Sequence, residues 1–347
     1  MRATLKHIAE IAGVSHTTVS RVLNNSEKVS PETKKHILKI ANELNYSSNI
    51  NAKSLVTKRS GNIGLFFSST SQRTSPGFFY ETLKGVNSIT DGCYNLIVRE
   101  VGLETEFYTI EADRLDGILF VSQSESDDSF IQDVLSKGIP LVVLNREVKD
   151  GIATNVIPLE SEGIRMAVDF LVENGHSDIA VIQGTDGYKS SQNRLSGYLQ
   201  SMHNNNLLVK AEYMVRGQYT VDSGVTAMKV LLSLPSPPTA VVAFNDDMAV
   251  GAIRAVVESG KSVPWDISLI GFDGNVECDY VVPTLTTVDK CSLEVSIRGA
   301  EKLLNQIAKK EYVREKIYVN TKLVVKNSVR SLNNTRLFVA QKSESSV

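Results

Sequence analysis

The sequence predicts a small helix-turn-helix head, a short linking helix and a larger α/β body in two lobes with doubly wound parallel sheets. Three observations predict it. Up to about residue 44 the apolar residues recur at helical spacing, whereas from Asn62 short apolar runs alternate with helical stretches. At 347 residues the chain also exceeds the usual single domain. Third, residues 1–60 carry a formal charge of +6 and the remaining 287 residues −8. A basic head on an acidic body directs the head alone toward a polyanion, unless those charges are only the solvated faces of packed helices.

The head reads as three helices. Leu5, Ile8, Ala9 and Ala12 fall on one face of the first, which Thr4 starts. Gly13 turns the chain, and Ser15 is placed to cap a second helix over about 16–24. Its inward face is Val19, Val22 and Leu23; His16, Thr17, Ser20 and Arg21 remain outside. Ser30 and Pro31 open a third helix whose buried stripe is Ile37, Ile40, Ala41 and Leu44. Two short helices around a glycine turn, braced by a third, form a helix-turn-helix unit. Its thin second helix can enter a major groove and bring hydroxyls and an imidazole to base edges. On its own residues His16 is either such a base reader or a solvated cap residue.

The stretch TLKHIAEIAGVSHTTVSRVLNNSEKVSPETKKHI closely resembles the DNA-binding head of the LacI/GalR family of bacterial transcription regulators. That resemblance implies that His16 and Thr17 read bases, that Arg21 is the recognition-helix arginine, and that Ser15 and Ser20 hold the helix on DNA. Thr4 and Asn24 complete the DNA-contacting set in the head. The polar, basic linker around NAKSL could form one or two helical turns, which need outside contacts to persist. By resemblance it is a hinge helix that folds on the operator, with Lys53 beside it and Leu55 wedged into the minor groove. By itself Leu55 reads as a minor docking contact rather than an intercalating one. Ser48 stands where the family has proline.

In the body, NIGLFF, YNLIV, GILFV and PLVVL, then DIAVI, AVVAF and SLIGF, read as parallel strands buried on both faces. Helices are expected at about 79–91, 161–174, 192–205, 222–233, 247–259 and 292–308. By resemblance the body is periplasmic-binding-protein-like, two lobes joined by three crossovers near 160, 290 and 322. The expected organisation is a head at 1–47, a hinge at 48–60, a first lobe of 61–160 with 290–322, a second of 161–289 with 323–335, and a tail at 336–347. The chain departs from the family in a shortened passage between 100 and 115, and in LESEG (Leu159 to Gly163) where DNxxG is usual.

Ligands of open α/β lobes sit at the carboxyl ends of strands. Asn145, Asn245 and Asp273 follow strands, and Arg194 lies on a helix across the cleft. Amides, a carboxylate and a guanidinium can hold a polyhydroxylated ring, with Phe78, Phe79 and Tyr219 as apolar walls. Taken singly, each reads first as a cap or turn contact, which is commoner than ligand binding, and Asp246 is assigned to capping DMAVGAI. The resemblance implies effector-contacting roles for Phe78, Phe79, Asn145, Arg194, Tyr219, Asn245 and Asp273. The effector is expected to be a sugar or sugar derivative; a purine or a protein corepressor are the alternatives within the family.

Catalysis finds little support. No GxGxxG, GxSxG or GxxxxGK[ST] is present, and the body holds only two histidines, His176 and His203. No catalytic residue, cofactor or metal site is expected; Cys93, Cys278 and Cys291 lack metal spacing and suit a reducing compartment. With no apolar run near ~18 residues, neither signal peptide nor membrane span is expected, and the protein should be cytoplasmic. The expected partners are a pseudo-palindromic double-stranded operator, a second copy of the chain and the small-molecule effector; an architectural DNA-binding protein without effector is the other non-enzymatic possibility.

Overall fold

Gly13 makes the tight turn of the head possible. It adopts φ +63° after α1 (Leu5–Ala12), a left-handed conformation that glycine takes without steric cost. The computed structural model describes residues 4–23, 28–44, 59–68, 74–101, 114–149, 151–310 and 314–333. Thr4 caps α1 by accepting from the His7 amide at 3.3 Å. Ser15 Oγ accepts from the Thr18 amide at 3.1 Å to open α2 (His16–Leu23), and Ser30 Oγ from Thr33 at 3.3 Å to open α3 (Pro31–Glu43). Ile8, Val19, Val22 and Ile37 meet in one core, each at most 2% exposed. Each such burial contributes roughly 1.5–3 kcal/mol before chain entropy is counted.

The head, up to Gly61, and the body from Asn62 are separate compact units. Asn24, the hinge residues Lys53 and Leu55, the tail at 336–347 and most of the shortened 100–115 passage lie outside the described residues.

The first lobe forms a six-stranded sheet: β1 (Asn62–Phe67), β2 (Asn95–Glu100), β3 (Gly117–Val121), β4 (Leu141–Leu144), β5 (Thr154–Pro158) and, returning late, β11 (Lys316–Val319). Their order is β11-β5-β4-β3-β1-β2, all parallel. Two-residue alternation shows directly in the packing. Leu65, Phe67, Leu119 and Val142 face a core with Val86 of α4 (Pro76–Thr90) and Leu303 of α10 (Ser292–Lys309). Phe66, Ile118, Phe120 and Val143 face the opposite core with α5 (Asp128–Ser136). Burial on both faces explains the continuous apolar runs of β1, β3 and β4. β2, expected to be buried on both faces, instead lies at the sheet edge with no buried residue.

The second lobe repeats the plan with β6 (Ile179–Gln183), β7 (Met214–Arg216), β8 (Ala240–Ala243), β9 (Ser268–Asp273), β10 (Thr286–Asp289) and β12 (Lys322–Val324), in the order β12-β10-β9-β8-β6-β7. Only β12 is antiparallel in this sheet, pairing Val288 with Leu323. Its helices are α6 (Glu160–Glu173), α7 (Lys189–Asn204), α8 (Val221–Leu232) and α9 (Asp246–Glu258). The chain passes between lobes after β5, after β10 and between β11 and β12. In each sheet the strand order reverses beside the lobe's first strand, creating a crevice at the carboxyl ends of β1 and β3, and of β6 and β8.

His176, in the turn between α6 and β6, is 1% exposed and joins distant segments: Nε2 donates to the Arg330 carbonyl at 3.1 Å and Nδ1 lies 3.0 Å from Thr239 Oγ1. Burial pulls its pKa below the ordinary 6.5, against the hydrogen bond to Arg330, so the unfolded chain binds the proton more readily. The stability this residue contributes is complete above pH 6.5 and is lost as pH falls through the depressed folded value. Between pH 7 and 5 the wild-type melting temperature should therefore fall more steeply than that of His176→Gln; parallel curves would refute the linkage.

Candidate functional site

The outer face of α2 is polar because its apolar residues are spent on the head core. His16, Thr17 and Arg21 are exposed, Ser20 is half-buried, and Ser15 is occupied with Thr18 at the helix start. Thr4 is likewise engaged as the cap of α1. The helix thus offers an imidazole, a hydroxyl and a guanidinium from its first six residues, a surface suited to base edges and phosphates.

In the body a cavity opens where the strand ends of both lobes converge. Lobe one supplies Ser122 and Gln123 after β3, Asn145 and Arg146 after β4, and Phe78 at the start of α4. The second lobe supplies Arg194 from α7, Tyr219, Asn245 after β8, and Asp273 ending β9; Glu160 and Lys290 come from the crossovers. The lobes touch through backbone: the Lys189 amide donates to the Gln123 carbonyl at 3.1 Å, beside an antiparallel bridge between Ser124 and Tyr188.

Arg194 organises the second-lobe side. It is 3% exposed; Nη2 and Nε donate to Glu160 Oε1 at 2.6 and 3.2 Å, and Nη1 donates to the Phe244 carbonyl. Its guanidinium stacks 3.9 Å from the Phe272 ring centroid. Burial opposes its charge, but Glu160, Tyr219 and Asp273 outweigh burial and raise its pKa. Asp273 Oδ1 lies 3.7 Å from Arg194 Nη2 and 3.1 Å from Lys290 Nζ, the latter an ion pair without hydrogen-bond alignment. Lys290, 7% exposed, also sits 3.7 Å from the Phe78 ring centroid. On the first-lobe side Arg146 Nε donates to Ser122 Oγ at 2.6 Å and Nη2 to Asp128 at 2.5 Å.

Backbone strain concentrates here. Asn145 (φ 69°), Tyr219 (φ 62°) and Asp273 (φ 133°) are three of the six described non-glycine residues with positive φ. Such conformations cost of order 1–3 kcal/mol when the residue resists them, and persist where surrounding contacts enforce them. Tyr219 is held by the Asn245 Nδ2 bond to its carbonyl at 3.1 Å, while Gly184 leaves its ring room: a Cβ there would lie 2.0 Å from Tyr219 Cζ. Burial raises the Tyr219 hydroxyl to about 12, so it stays protonated and able to donate.

The structure brings Phe78, Asn145, Arg194, Tyr219, Asn245 and Asp273 to one cavity, but not Phe79, whose ring packs 5.0 Å from that of Phe67 in the first-lobe core. A single helical step separates the two fates, since adjacent residues face about 100° apart. The capping assignment also changes. Asn245, not Asp246, caps α9, accepting from the Met248 amide at 3.0 Å. Asp246 is buried and accepts from Thr287 Oγ1 at 2.6 Å and the Asn275 amide at 2.8 Å; burial, then Asp273, push its pKa up to about 6. Asn245 has both ends of its amide engaged, so it braces Tyr219 and α9 at the cavity edge.

Glu160, Lys290, Gln123 and Arg146 escaped the sequence reading. Glu160 stands in the aberrant LESEG, a departure that here supplies the carboxylate for Arg194. Lys290 follows β10, so applying the strand-end rule to TTVDK would have found it. Among the described residues no group of three or more metal-ligating side chains occurs, and no helix is long and apolar enough to cross a membrane.

A helix-turn-helix head ahead of two lobes closing on a polar cavity is the build of a ligand-sensing DNA-binding regulator. Residues 4–49 match the model of bacterial regulatory proteins of the lacI family, and residues 168–329 that of a periplasmic binding protein-like domain. The chain is 48% identical to the "Probable HTH-type transcriptional repressor ExuR" of Bacillus subtilis (strain 168), covering 95% of this chain and 99% of that one. It is 32% identical to the "HTH-type transcriptional repressor PurR" of Vibrio campbellii (strain ATCC BAA-1116), covering 95% and 100%. The structure of the lac repressor dimer bound to operator and the anti-inducer ONPF superposes with a TM-score of 0.75 at 28% identity, covering 95% of this chain and 100% of that one. The chain therefore belongs to the LacI/GalR family and is a ligand-controlled, operator-binding transcriptional repressor.

Proposed function

We propose that this repressor binds a pseudo-palindromic operator as a homodimer and that a sugar or sugar derivative in the interlobe cavity sets its operator affinity. One observation carries the choice of ligand. Asn145 Oδ1, Glu160 Oε2 and Asp273 Oδ1 are buried and find no hydrogen-bond donor among the described residues, and all three residues line the same cavity. Buried acceptors without donors are costly, and a ligand bearing several hydroxyls supplies the O–H groups they lack. A purine fits less well: the Lys290 ammonium occupies a face of the Phe78 ring on which a base would stack.

Each protomer's head serves one half-site, with His16 and Thr17 reading bases and Arg21, together with Lys53 and Leu55 of the hinge, positioning the protein on DNA. A ligand that favours the lobe arrangement compatible with operator binding acts as corepressor, and one favouring the other arrangement as inducer. The test is a thermal-shift screen of sugars, sugar derivatives and purines, followed by operator titration with every hit. A sugar-class hit that changes operator affinity is the expected result; a purine hit, or a hit without effect on the operator, overturns the assignment.

A further inference from the structure

We propose that the ligand is a polyhydroxylated acid, whose carboxylate or phosphate is met by Lys290 on the crossover after β10. This rests on the reading of the cavity as the effector site, and concerns which sugar derivative enters it. The cavity is lined by four cations, Arg146, Lys189, Arg194 and Lys290, and by only two carboxylates, Glu160 and Asp273. They sit in a body whose residues 61–347 sum to −8, so the local excess of positive charge runs against the chain around it.

The pairings show where that excess falls. Glu160 answers Arg194 at 2.6 Å, and Arg146 finds Asp128 at 2.5 Å. Asp273 is divided between Arg194, 3.7 Å away, and Lys290, 3.1 Å away, in a geometry that completes no hydrogen bond. Lys290 is more than nine-tenths buried, and its other neighbour is an aromatic face. A desolvated ammonium with three donors and half a carboxylate is under-compensated. An anionic group on the ligand completes its coordination and releases Asp273 Oδ1 to accept a ligand hydroxyl. The acceptors Asn145 Oδ1 and Glu160 Oε2 then take further hydroxyls, so hydroxyl-rich and anionic character are required of one molecule.

Isothermal titration with glucuronate, galacturonate, gluconate and glucose 6-phosphate, each beside its neutral parent sugar, tests this on the full chain. At least one acid should bind about tenfold or more tighter than its parent, a preference that shrinks with added salt. The carboxylate and phosphate arms identify which anion is used. Lys290→Met should collapse the acid-to-neutral ratio by about tenfold or more, and Lys290→Arg should retain it. If Lys290→Met fails to fold, the salt dependence and the arginine variant carry the test. Neutral sugars binding as tightly as the acids overturn this inference while the cavity keeps its sugar-binding role. Binding of none of these compounds, with purines the only hits in the thermal-shift screen, removes both.

Discussion

Arg194→Met is expected to destabilise the body by about 3–5 kcal/mol and to abolish ligand binding, the largest effect of any single cavity substitution. The guanidinium is 3% exposed and is the partner of a Glu160 side chain itself 3% exposed. Methionine fills much of the volume but leaves a buried carboxylate without its cation, and Asp273 loses one of its two positive neighbours. The distinguishing control is Arg194→Met with Glu160→Gln. Removing both charges should recover a large part of the lost stability, because the cost lies in the orphaned charge rather than the missing pair. Ligand binding should not return. Calorimetry of the body transition measures both; a single variant within about 1 kcal/mol of wild type contradicts the buried pairing.

His16→Ala and Thr17→Ala are each expected to weaken the preferred operator by about 1–3 kcal/mol per lost base contact, and to change the preferred half-site. Both side chains are exposed on α2, and neither contributes to the core of Ile8, Val19, Val22 and Ile37, so the head should stay folded. Two heads on a two-fold operator double the effect. Lys53→Ala is the contrast: loss of one phosphate contact per protomer weakens all sequences together and lowers the salt dependence by about two counterions. Selection from a randomised operator library reads the difference. An unchanged sequence preference for both recognition-helix variants would remove them from base readout.

Much of this molecule was legible because its decisive signals are local. The spacing of Leu5, Ile8, Ala9 and Ala12, the caps Ser15 and Ser30 and the turn glycine Gly13 each act within one helical turn. The central strands were visible because burial on both faces leaves no polar alternation. β5, β7, β10, β11 and β12 were not read as strands: they are three to five residues long, and several sit at sheet edges with polar or basic residues. Lys316 joins the first sheet only by pairing with Asn155, far away in sequence. The cavity divides in the same way. Asn145, Asn245 and Asp273 could be placed from the strands they follow, whereas the partnership of Arg194 with Glu160 and of Lys290 with Phe78 exists only after the crossovers fold. Phe79 shows the opposite limit, since an adjacent pair of aromatics does not reveal which ring turns inward.

Operator titration with and without ligand, on wild type and Asp273→Ala, tests most directly the coupling of the cavity to the operator. The best acid or sugar from the binding screen is added at saturation to a labelled operator fragment, and the Kd is read by fluorescence anisotropy. Ligand is expected to shift the wild-type Kd by about 5–150-fold, the usual range of coupling between two sites. Asp273→Ala should bind the operator as wild type does without ligand, and show no shift when ligand is added. An Asp273→Ala protein that responds like wild type, or a wild type whose operator affinity is the same with the cavity filled, contradicts the assignment.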